Sequence, residues 1–281
     1  MNQQPPNTTE TPGPLSLDVT DGIATLTMAR AKQRNPFTQE FKDQIADLLR
    51  DIQNRNEIDV LILTGTDGIF SAGGDVKGMG VRAKGEAPPP DYDRRRIYAL
   101  HDWLQMLRNI EIPTIAAVDG PAYGGGFGLA LCCDFILATP RAKFCSVFGR
   151  IGLVPDCSVF FTLPRMVGAQ RAKEIMFTAR AVEASEAMAL GIVLELHEPD
   201  DLMAAARALA KRMQKGSRTA LGATKRIANQ AFDVDANALI EMEASAQAVC
   251  LASDYHKDAA IRFSEKRPLL FNWEQFDKDD A

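Results

Sequence analysis

Residues 117–134 read AVDGPAYGGGFGLALCCD, and this stretch decides how the rest of the chain is interpreted. Three consecutive glycines, at 124–126, stand between an apolar run at 114–118 with β character and an apolar run at 129–132 with helical character. Glycine lets a ligand approach the main chain closely, and a turn from strand into helix leaves backbone N–H groups unpaired at the positive end of the helix dipole. Such a turn can hold negative charge on an oxygen atom, or it can be no more than a tight connection.

Two nucleotide-binding motifs do not fit the sequence. The chain contains no GxxxxGK[ST], and Leu129 stands where the third glycine of GxGxxG would fall. A second small-residue turn does occur, because residues 70–79 read FSAGGDVKGM directly after the strand predicted at 60–63. The chain therefore carries two glycine turns, each after a predicted strand.

This ordered pair of turns resembles the two oxyanion-hole motifs of the crotonase (enoyl-CoA hydratase/isomerase) superfamily, and the likeness runs over residues 15–271. The resemblance implies an α/β fold, the ClpP/crotonase-like spiral of ββα repeats, with a C-terminal helical trimerisation region. It implies a homotrimer or a dimer of trimers. We expect a disordered tail at 1–14, a core domain with the CoA site at 15–198 and a C-terminal helical region at 199–281.

The resemblance also implies an acyl-CoA thioester as substrate, with no further cofactor. The thioester oxygen would accept hydrogen bonds from the backbone amides of Ala72 and Gly125. These hydrogen bonds strengthen as negative charge develops on that oxygen. The expected CoA-binding residues lie in three parts of the chain, and they are Lys32, Gln33, Arg34, Ala72, Gly73, Gly74, Asp75, Val76, Gly124, Gly125, Phe263 and Lys266. In the family, the C-terminal contact often comes from a neighbouring subunit.

The residue that moves the proton decides the reaction. Hydratases of the family use two glutamates, and the matching positions here are Gly128 and Phe148, so hydration is not expected. Asp156, in the segment GLVPDC at 152–157, resembles the single carboxylate of the isomerase members. An apolar pocket would raise its pKa and make it a better proton shuttle. Its other interpretation is an N-cap for the helix that follows.

Three functions remain open on these residues. The first is an enoyl-CoA double-bond isomerase with Asp156 as acid and base. The second is another reaction of the family, such as hydrolysis, decarboxylation, dehalogenation or ring isomerisation, because the oxyanion hole serves all of these. The third is a non-catalytic acyl-CoA binder, which the missing glutamates suggest. His101 is the one histidine that could face the pocket, against a surface or packing role.

Composition narrows the class of protein further. The chain has 281 residues, is 46% hydrophobic and carries a net charge of −5, which gives no reason to expect a nucleic-acid partner. The N-terminus lacks the pattern of a signal peptide, and no apolar run approaches the ~20 residues of a membrane span. Five cysteines without metal spacing suggest reduced thiols in a cytoplasm, and no metal site is expected.

Hydrophobic periodicity predicts the elements around the two turns. Alternation on both sides of Asp21-Gly22 predicts a β-hairpin, and Thr38 is expected to begin a helix through 52. Residues 79–96 suggest a mobile loop ending in a charged helix start, with arginines 94–96 either solvated or binding an anion. Further helices are expected at 97–110, 160–167, 169–178, 183–190, 201–214, 220–231, 236–252 and 255–263, and further strands at 60–63, 114–118, 134–138, 143–146 and 193–196. The alternation implies parallel strands joined by crossovers.

Overall fold

The computed structural model describes residues 13–75, 78, 80, 84, 85 and 89–274. Its strands, in chain order, are β1 (Leu15–Thr20), β2 (Ile23–Met28), β3 (Pro36–Phe37), β4 (Val60–Gly65), β5 (Gly73–Gly74), β6 (Thr114–Val118), β7 (Pro121–Tyr123), β8 (Phe135–Ala138), β9 (Lys143–Cys145), β10 (Ala181–Glu183) and β11 (Glu195–Leu196).

The α-helices follow the same order. They are α1 (Gln39–Asn54), α2 (Pro90–Asn109), α3 (Gly125–Leu131), α4 (Val159–Thr178), α5 (Ala184–Ala189), α6 (Leu202–Met213), α7 (Arg218–Ala228), α8 (Ala236–Ala252) and α9 (Asp254–Ser264). Two 3₁₀ turns, Ala31–Gln33 and Val147–Ile151, follow β2 and β9.

The main sheet has the strand order β1-β2-β4-β6-β8-β11. Strand β1 is antiparallel to β2, and the remaining neighbours are parallel. The hairpin turn is at Asp21-Gly22, where both residues have positive φ. Every residue of β6 is buried, as expected of a parallel strand covered on both faces.

Short strands form a second layer over the carboxyl ends of the main strands. Strand β3 pairs with β5, and β7 pairs with β9, both in parallel register. Ser71 bridges to Ala122 and so joins the two pairs. From β2 to α4, the described chain therefore repeats a long strand, a short strand and a helix. This is the ββα repeat that the sequence predicted.

Helices cover both faces of the main sheet. On one face, α1 buries Phe41, Ile45 and Leu49 against the larger core. On the other face, α6 buries Leu202, Ala206, Leu209 and Ala210 against alternate residues of the strands. Helix α6 was predicted to belong to the C-terminal region, and it packs directly on the sheet, so the division at 198 stays a prediction. Within the described ranges, no helix combines the length and apolar character that crossing a membrane requires.

Several sequence signals set the element boundaries. The side chain of Thr38 accepts a hydrogen bond from the Phe41 amide and caps α1 as expected. Gly168 interrupts α4 with φ 76° and ψ 160°, at the position where two helices were predicted to meet. Helix α2 begins at Pro90, a favourable first residue for a helix. The loop predicted before it falls largely outside the described residues.

Candidate active site

The two glycine turns meet at the carboxyl ends of β4 and β6. The Ser71 amide donates to the Pro121 carbonyl at 3.0 Å, and the Tyr123 amide donates to the Ser71 carbonyl at 2.8 Å. A side chain on Gly126 would overlap the Ser71 carbonyl, so the third glycine of the GGG run is required by this packing. The open sheet thus places both predicted motifs where α/β proteins usually bind ligands.

Gly73 and Gly125 are in direct contact. A Cβ atom on Gly73 would overlap the backbone nitrogen of Gly125, and Gly73 has φ +76°, which side chains rarely adopt. Gly125 is the first residue of α3, so its N–H lacks an intrahelical acceptor. A Cβ on Gly125 would lie 2.8 Å from the ring of Phe37 and 3.0 Å from the sulfur of Cys157. Two main-chain segments therefore converge so closely that only glycine fits at both positions.

The structure contradicts one predicted donor. The amide of Ala72 donates to the carbonyl of Arg34 at 2.8 Å, so this N–H is not available to a thioester oxygen. The next amide, of Gly73, donates to the hydroxyl oxygen of Ser71 at 3.0 Å. The sequence could not show this, because the bond from Ala72 joins two loops that are far apart in the chain.

Asp156 is next in sequence to the buried Cys157, whose sulfur borders Gly125. Burial raises the pKa of the Asp156 carboxyl. A hydrogen bond from the Cys157 thiol and the charges of His101, Arg96 and Lys42 oppose this rise. A half-buried carboxyl that binds its proton more tightly than usual is suited to giving and taking protons.

The helix-cap interpretation of Asp156 is wrong. Helix α4 begins at Val159, and Ser158 is its N-cap residue. Asp156 takes part in this turn only through its backbone carbonyl, which accepts a hydrogen bond from the Val159 amide at 3.1 Å. Its carboxylate therefore remains for another role.

The two positions matched to the hydratase glutamates are both inside the protein. A Cβ on Gly128 would lie 2.6 Å from the Cβ of Cys157 and would overlap the Cys157 carbonyl. Phe148 is buried, and its ring lies 3.8 Å from the place of a Cβ on Gly124. A carboxylate side chain at position 128 would therefore require α3 and the Cys157 turn to move apart.

His101 faces the site, which the sequence left open. Its Nδ1 atom lies 3.4 Å from the hydroxyl of Ser158. Lys42 was not singled out from the sequence. Burial lowers the pKa of Lys42, and the charge of Asp156 opposes this lowering. Helical spacing could have found both residues, because His101 is three positions before the buried Leu104 and Lys42 is three before the buried Ile45.

The three consecutive arginines divide between the two interpretations. Arg94 contacts Tyr98, and Arg95 pairs with Asp91 at 2.7 Å, so both belong to the solvated face of α2. Arg96 lies close enough to Asp156 and Lys42 to act on the pKa of each. One of the three therefore contributes positive charge to the site.

The predicted CoA-binding residues fall into two groups. Lys32, Gln33 and Arg34 are exposed, and they follow β2 at the same end of the sheet as the glycine turns. Ala72, Gly73, Gly74, Gly124 and Gly125 lie in the turns themselves, and Val76 lies outside the described residues. Asp75 accepts a hydrogen bond from the Gly78 amide at 3.0 Å, so its carboxylate stabilises the turn that follows β5.

Phe263 and Lys266 lie elsewhere in the chain. Phe263 is 76% exposed. Helix α9 begins near the C-terminal end of α6, because the hydroxyl of Tyr255 donates to the Lys215 carbonyl at 2.7 Å. The neighbouring Gln214 donates to the carbonyl of Asp21, which lies at the end of the sheet where the parallel strands begin. The glycine turns lie at the opposite end of the sheet, at the carboxyl ends of the strands. Helix α9 therefore starts away from the site of its own chain.

Comparison with known proteins agrees with this geometry. The family model described as enoyl-CoA hydratase/isomerase matches residues 18–276. The chain is 31% identical to crotonyl-CoA hydratase of Syntrophomonas wolfei, covering 91% of this chain and 96% of the relative. It is 32% identical to 4-chlorobenzoyl coenzyme A dehalogenase-2 of an Arthrobacter species, over 71% of each chain. It is 30% identical to 1,2-epoxyphenylacetyl-CoA isomerase of Escherichia coli, covering 90% and 96%.

Solved structures give the same result. The crystal structure of an enoyl-CoA hydratase/isomerase from Cupriavidus metallidurans superposes with a TM-score of 0.87 at 35% identity, covering 94% of this chain and 97% of that one. The relatives carry out different reactions on CoA thioesters according to their names, so the match fixes the family and leaves the reaction open. The converging glycine turns, the ββα architecture and these matches together show that the chain belongs to the enoyl-CoA hydratase/isomerase family of the crotonase superfamily.

Proposed function

We propose that the protein is an enoyl-CoA double-bond isomerase that moves a proton through Asp156 while main-chain amides hold the enolate oxygen. The single observation that carries this proposal is the position of one half-buried carboxyl beside the glycine contact. The pKa of Asp156 is raised by burial, so the group can take a proton from one carbon and return it to another. Both positions that resemble the hydratase glutamates lack a carboxylate, which argues against hydration.

The second oxyanion donor is assigned to Gly74 in place of Ala72. Pro36 pairs with Gly73 in parallel register and has no N–H, so the pairing must use the Gly73 carbonyl as an acceptor. In a trans peptide the C=O and the next N–H point in opposite directions. The Gly74 N–H therefore points away from β3, toward the side on which Ser71 pairs with β7. With Gly125, it forms the proposed oxyanion hole.

The CoA moiety is assigned to the exposed residues at this edge of the sheet. Lys32 and Arg34 supply positive charge for phosphates, and the Gly73–Asp75 turn lies against the pantetheine. Phe263 and Lys266 are assigned to the site of a neighbouring copy, because α9 starts away from the glycine turns of its own chain. This requires a homo-oligomer, for which a trimer or a dimer of trimers is proposed.

A specific observation favours one other candidate. Asp156 has His101 nearby, and a carboxylate with an adjacent imidazole suits nucleophilic displacement followed by hydrolysis. In that reaction Asp156 would attack a halogenated aromatic acyl group, the halide would leave, and His101 would activate the water that cleaves the aspartyl ester. The similarity to the Arthrobacter dehalogenase supports this candidate, and the proton shuttle remains the first because it needs only one carboxyl.

A panel of CoA thioesters separates the candidates. Purified protein is incubated with 3-enoyl-CoA, 2-enoyl-CoA, 4-chlorobenzoyl-CoA and a β-carboxyacyl-CoA. Shifted double bonds, hydrated product, chloride, carbon dioxide and free CoA are then measured. We expect a shifted double bond, and we expect Asp156→Asn to lower that rate about 10²- to 10⁴-fold while CoA binding persists. Chloride release without double-bond shift would replace the isomerase by the dehalogenase, and no turnover at all would favour a non-catalytic binder.

A further inference from the structure

Two consecutive residues, neither of which is glycine, adopt the left-handed conformation directly before α4. Cys157 has φ 51° and Ser158 has φ 63°. Side chains disfavour this region, and its use by non-glycine residues is concentrated at functional sites. Ser158 also makes no side-chain cap for α4, although it is the N-cap residue. Neither local conformation nor capping therefore explains why this position holds a serine.

The contacts of the Ser158 hydroxyl supply a reason. Ser158 is 6% exposed, and its Oγ lies 3.4 Å from Nδ1 of His101, at the long end of a hydrogen bond. The thiol of Cys132, which is buried in the α3–β8 connection, lies close enough to Ser158 for the serine to act on its pKa. The serine hydroxyl thus has a ring nitrogen as its hydrogen-bond partner.

The chemistry of these side chains decides which atom donates the hydrogen bond between Ser158 and His101. Burial raises the pKa of Cys132 to about 11, so its thiol keeps its proton at neutral pH. A thiol is a weak acceptor, whereas an imidazole nitrogen is a good one, and a hydroxyl can accept and donate together. The favoured arrangement therefore has the Ser158 O–H donating to His101 Nδ1. The ring proton of neutral His101 is then on Nε2.

We propose that Ser158 is a positioning residue, which fixes His101 in the Nε2–H tautomer and turns that N–H toward the Asp156 side of the site. The left-handed backbone at 157–158 brings the hydroxyl into place. An Nε2–H group there can hydrogen-bond the carboxylate or an oxygen of the acyl group. This role in the reaction rests on the proposed isomerase function, whereas the tautomer itself can be observed without turnover.

Other charged groups face the same space, and any test must keep them unchanged. Asp156 lies on the Cys157 turn, Lys42 on α1 and Arg96 on α2. The charge of each affects the pKa of at least one of the others. Cys157 has a pKa raised well above its ordinary value by burial, so it remains a neutral thiol. The variants therefore leave Asp156, Lys42, Arg96 and Cys157 unchanged.

The test reads the tautomer directly by ¹⁵N NMR on protein labelled only at histidine. The chain has 3 histidines, and loss of one signal in His101→Gln assigns His101. We expect the Nε2–H tautomer in the wild-type protein at pH 8, and a mixture of tautomers in Ser158→Gly. Glycine accepts the left-handed conformation, so this variant keeps the backbone while losing the hydroxyl. The matched control is Ala179→Gly, at the other end of α4, where φ is 47°.

Kinetics provide the second measurement. We expect Ser158→Gly to lower kcat about 10- to 100-fold, the usual range for a partner that orients a functional group, with little change in KM. The inference is overturned if wild-type His101 carries its proton on Nδ1, if Ser158→Gly leaves the tautomer unchanged, or if Ala179→Gly mixes the tautomers equally. If the wild-type protein moves no double bond, the isomerase function fails, and the tautomer measurement still decides the role of Ser158.

Discussion

At the scale of single residues, the buried carboxyl of Asp156, the proposed proton shuttle, has a cost in stability. Burial raises the pKa of its carboxyl in the folded protein above the ordinary value of 3.8. The folded state then binds more protons than the unfolded state at pH values between the two pKa values, so stability falls as pH rises through that interval. At neutral pH the folded protein bears the whole cost of the buried charge.

Asp156→Asn should therefore raise the melting temperature at pH 7 while it removes activity. At pH 3, below the ordinary pKa, the aspartate is neutral in both states, and the difference between variant and wild type should disappear. Thermal unfolding at the two pH values measures this. The exposed Asp67→Asn serves as the control, and a variant that is equally destabilised at both pH values would contradict the assigned burial.

The proposed role of Asp156 as the base also predicts an acid limb in the pH dependence of the rate. A base must be ionised, so kcat should fall with decreasing pH at a value above 3.8. Arg96 lowers the pKa of Asp156 by its charge, and Arg96→Gln should move the acid limb to higher pH. The control is Arg95→Gln, because Arg95 is exposed and pairs with Asp91 on the outer face. An equal shift in both variants, or none in Arg96→Gln, would argue against Asp156 as the base.

At the scale of elements, the packing of α3 on the turn before α4 limits which side chains position 128 can hold. Gly128 of α3 is in contact with the backbone of Cys157, and there is no space for a Cβ between them. By the resemblance to hydratases of the family, hydration was expected to use a carboxylate at this position. The departure from the hydratase pattern is therefore built into the packing of two elements and involves more than one side chain.

Gly128→Ala should destabilise the fold by about 1–3 kcal/mol, the usual cost of overpacking, or more because backbone must move. Gly128→Glu should be at least as unstable and should gain no hydratase activity. Gly149→Ala is the matched control, since its Cβ would meet nothing closer than 3.8 Å. Urea unfolding measures the stabilities. A stable Gly128→Glu protein that hydrates 2-enoyl-CoA would contradict the packing argument.

Local signals in the sequence were sufficient to predict most elements, and long-range bonds explain the failures. The Asp21-Gly22 turn, the Thr38 cap and the break at Gly168 each depend on neighbouring residues, and the structure has all three. The amide of Ala72 is bonded to Arg34, 38 positions away, and no local pattern reveals that bond. The pairing of His101 with Ser158 spans 57 positions and was likewise invisible.

At the scale of the whole molecule, the C-terminal helices present apolar surface that the described residues of their own chain leave uncovered. Helix α8 has no buried residue. Ile240, Ala244, Ala248 and Leu251 are exposed and recur at helical spacing along one side of α8. The opposite side, with Met242 and Val249, lines a cleft of about 1060 Å³ against the body of the protein. The outer stripe is where the proposed oligomer places another copy of the chain.

Ile240→Asp should weaken that association. Burying an unpaired charge in an apolar interface is costly, so we expect light scattering to show a smaller species than the wild type at the same concentration. Gln170→Asp introduces the same charge at an exposed position on α4 and should leave the size unchanged. A wild-type protein that is monomeric at micromolar concentration would rule out the oligomer.

The proton shuttle itself can be measured most directly by deuterium exchange. An enoyl-CoA is incubated in D₂O with wild-type protein and with Asp156→Asn, and deuterium at the acyl carbons is followed by mass spectrometry, with binding of the thioester measured in parallel. The wild-type protein should incorporate deuterium, and the variant should bind the thioester without incorporating it. Exchange at the wild-type rate in Asp156→Asn would show that another group moves the proton.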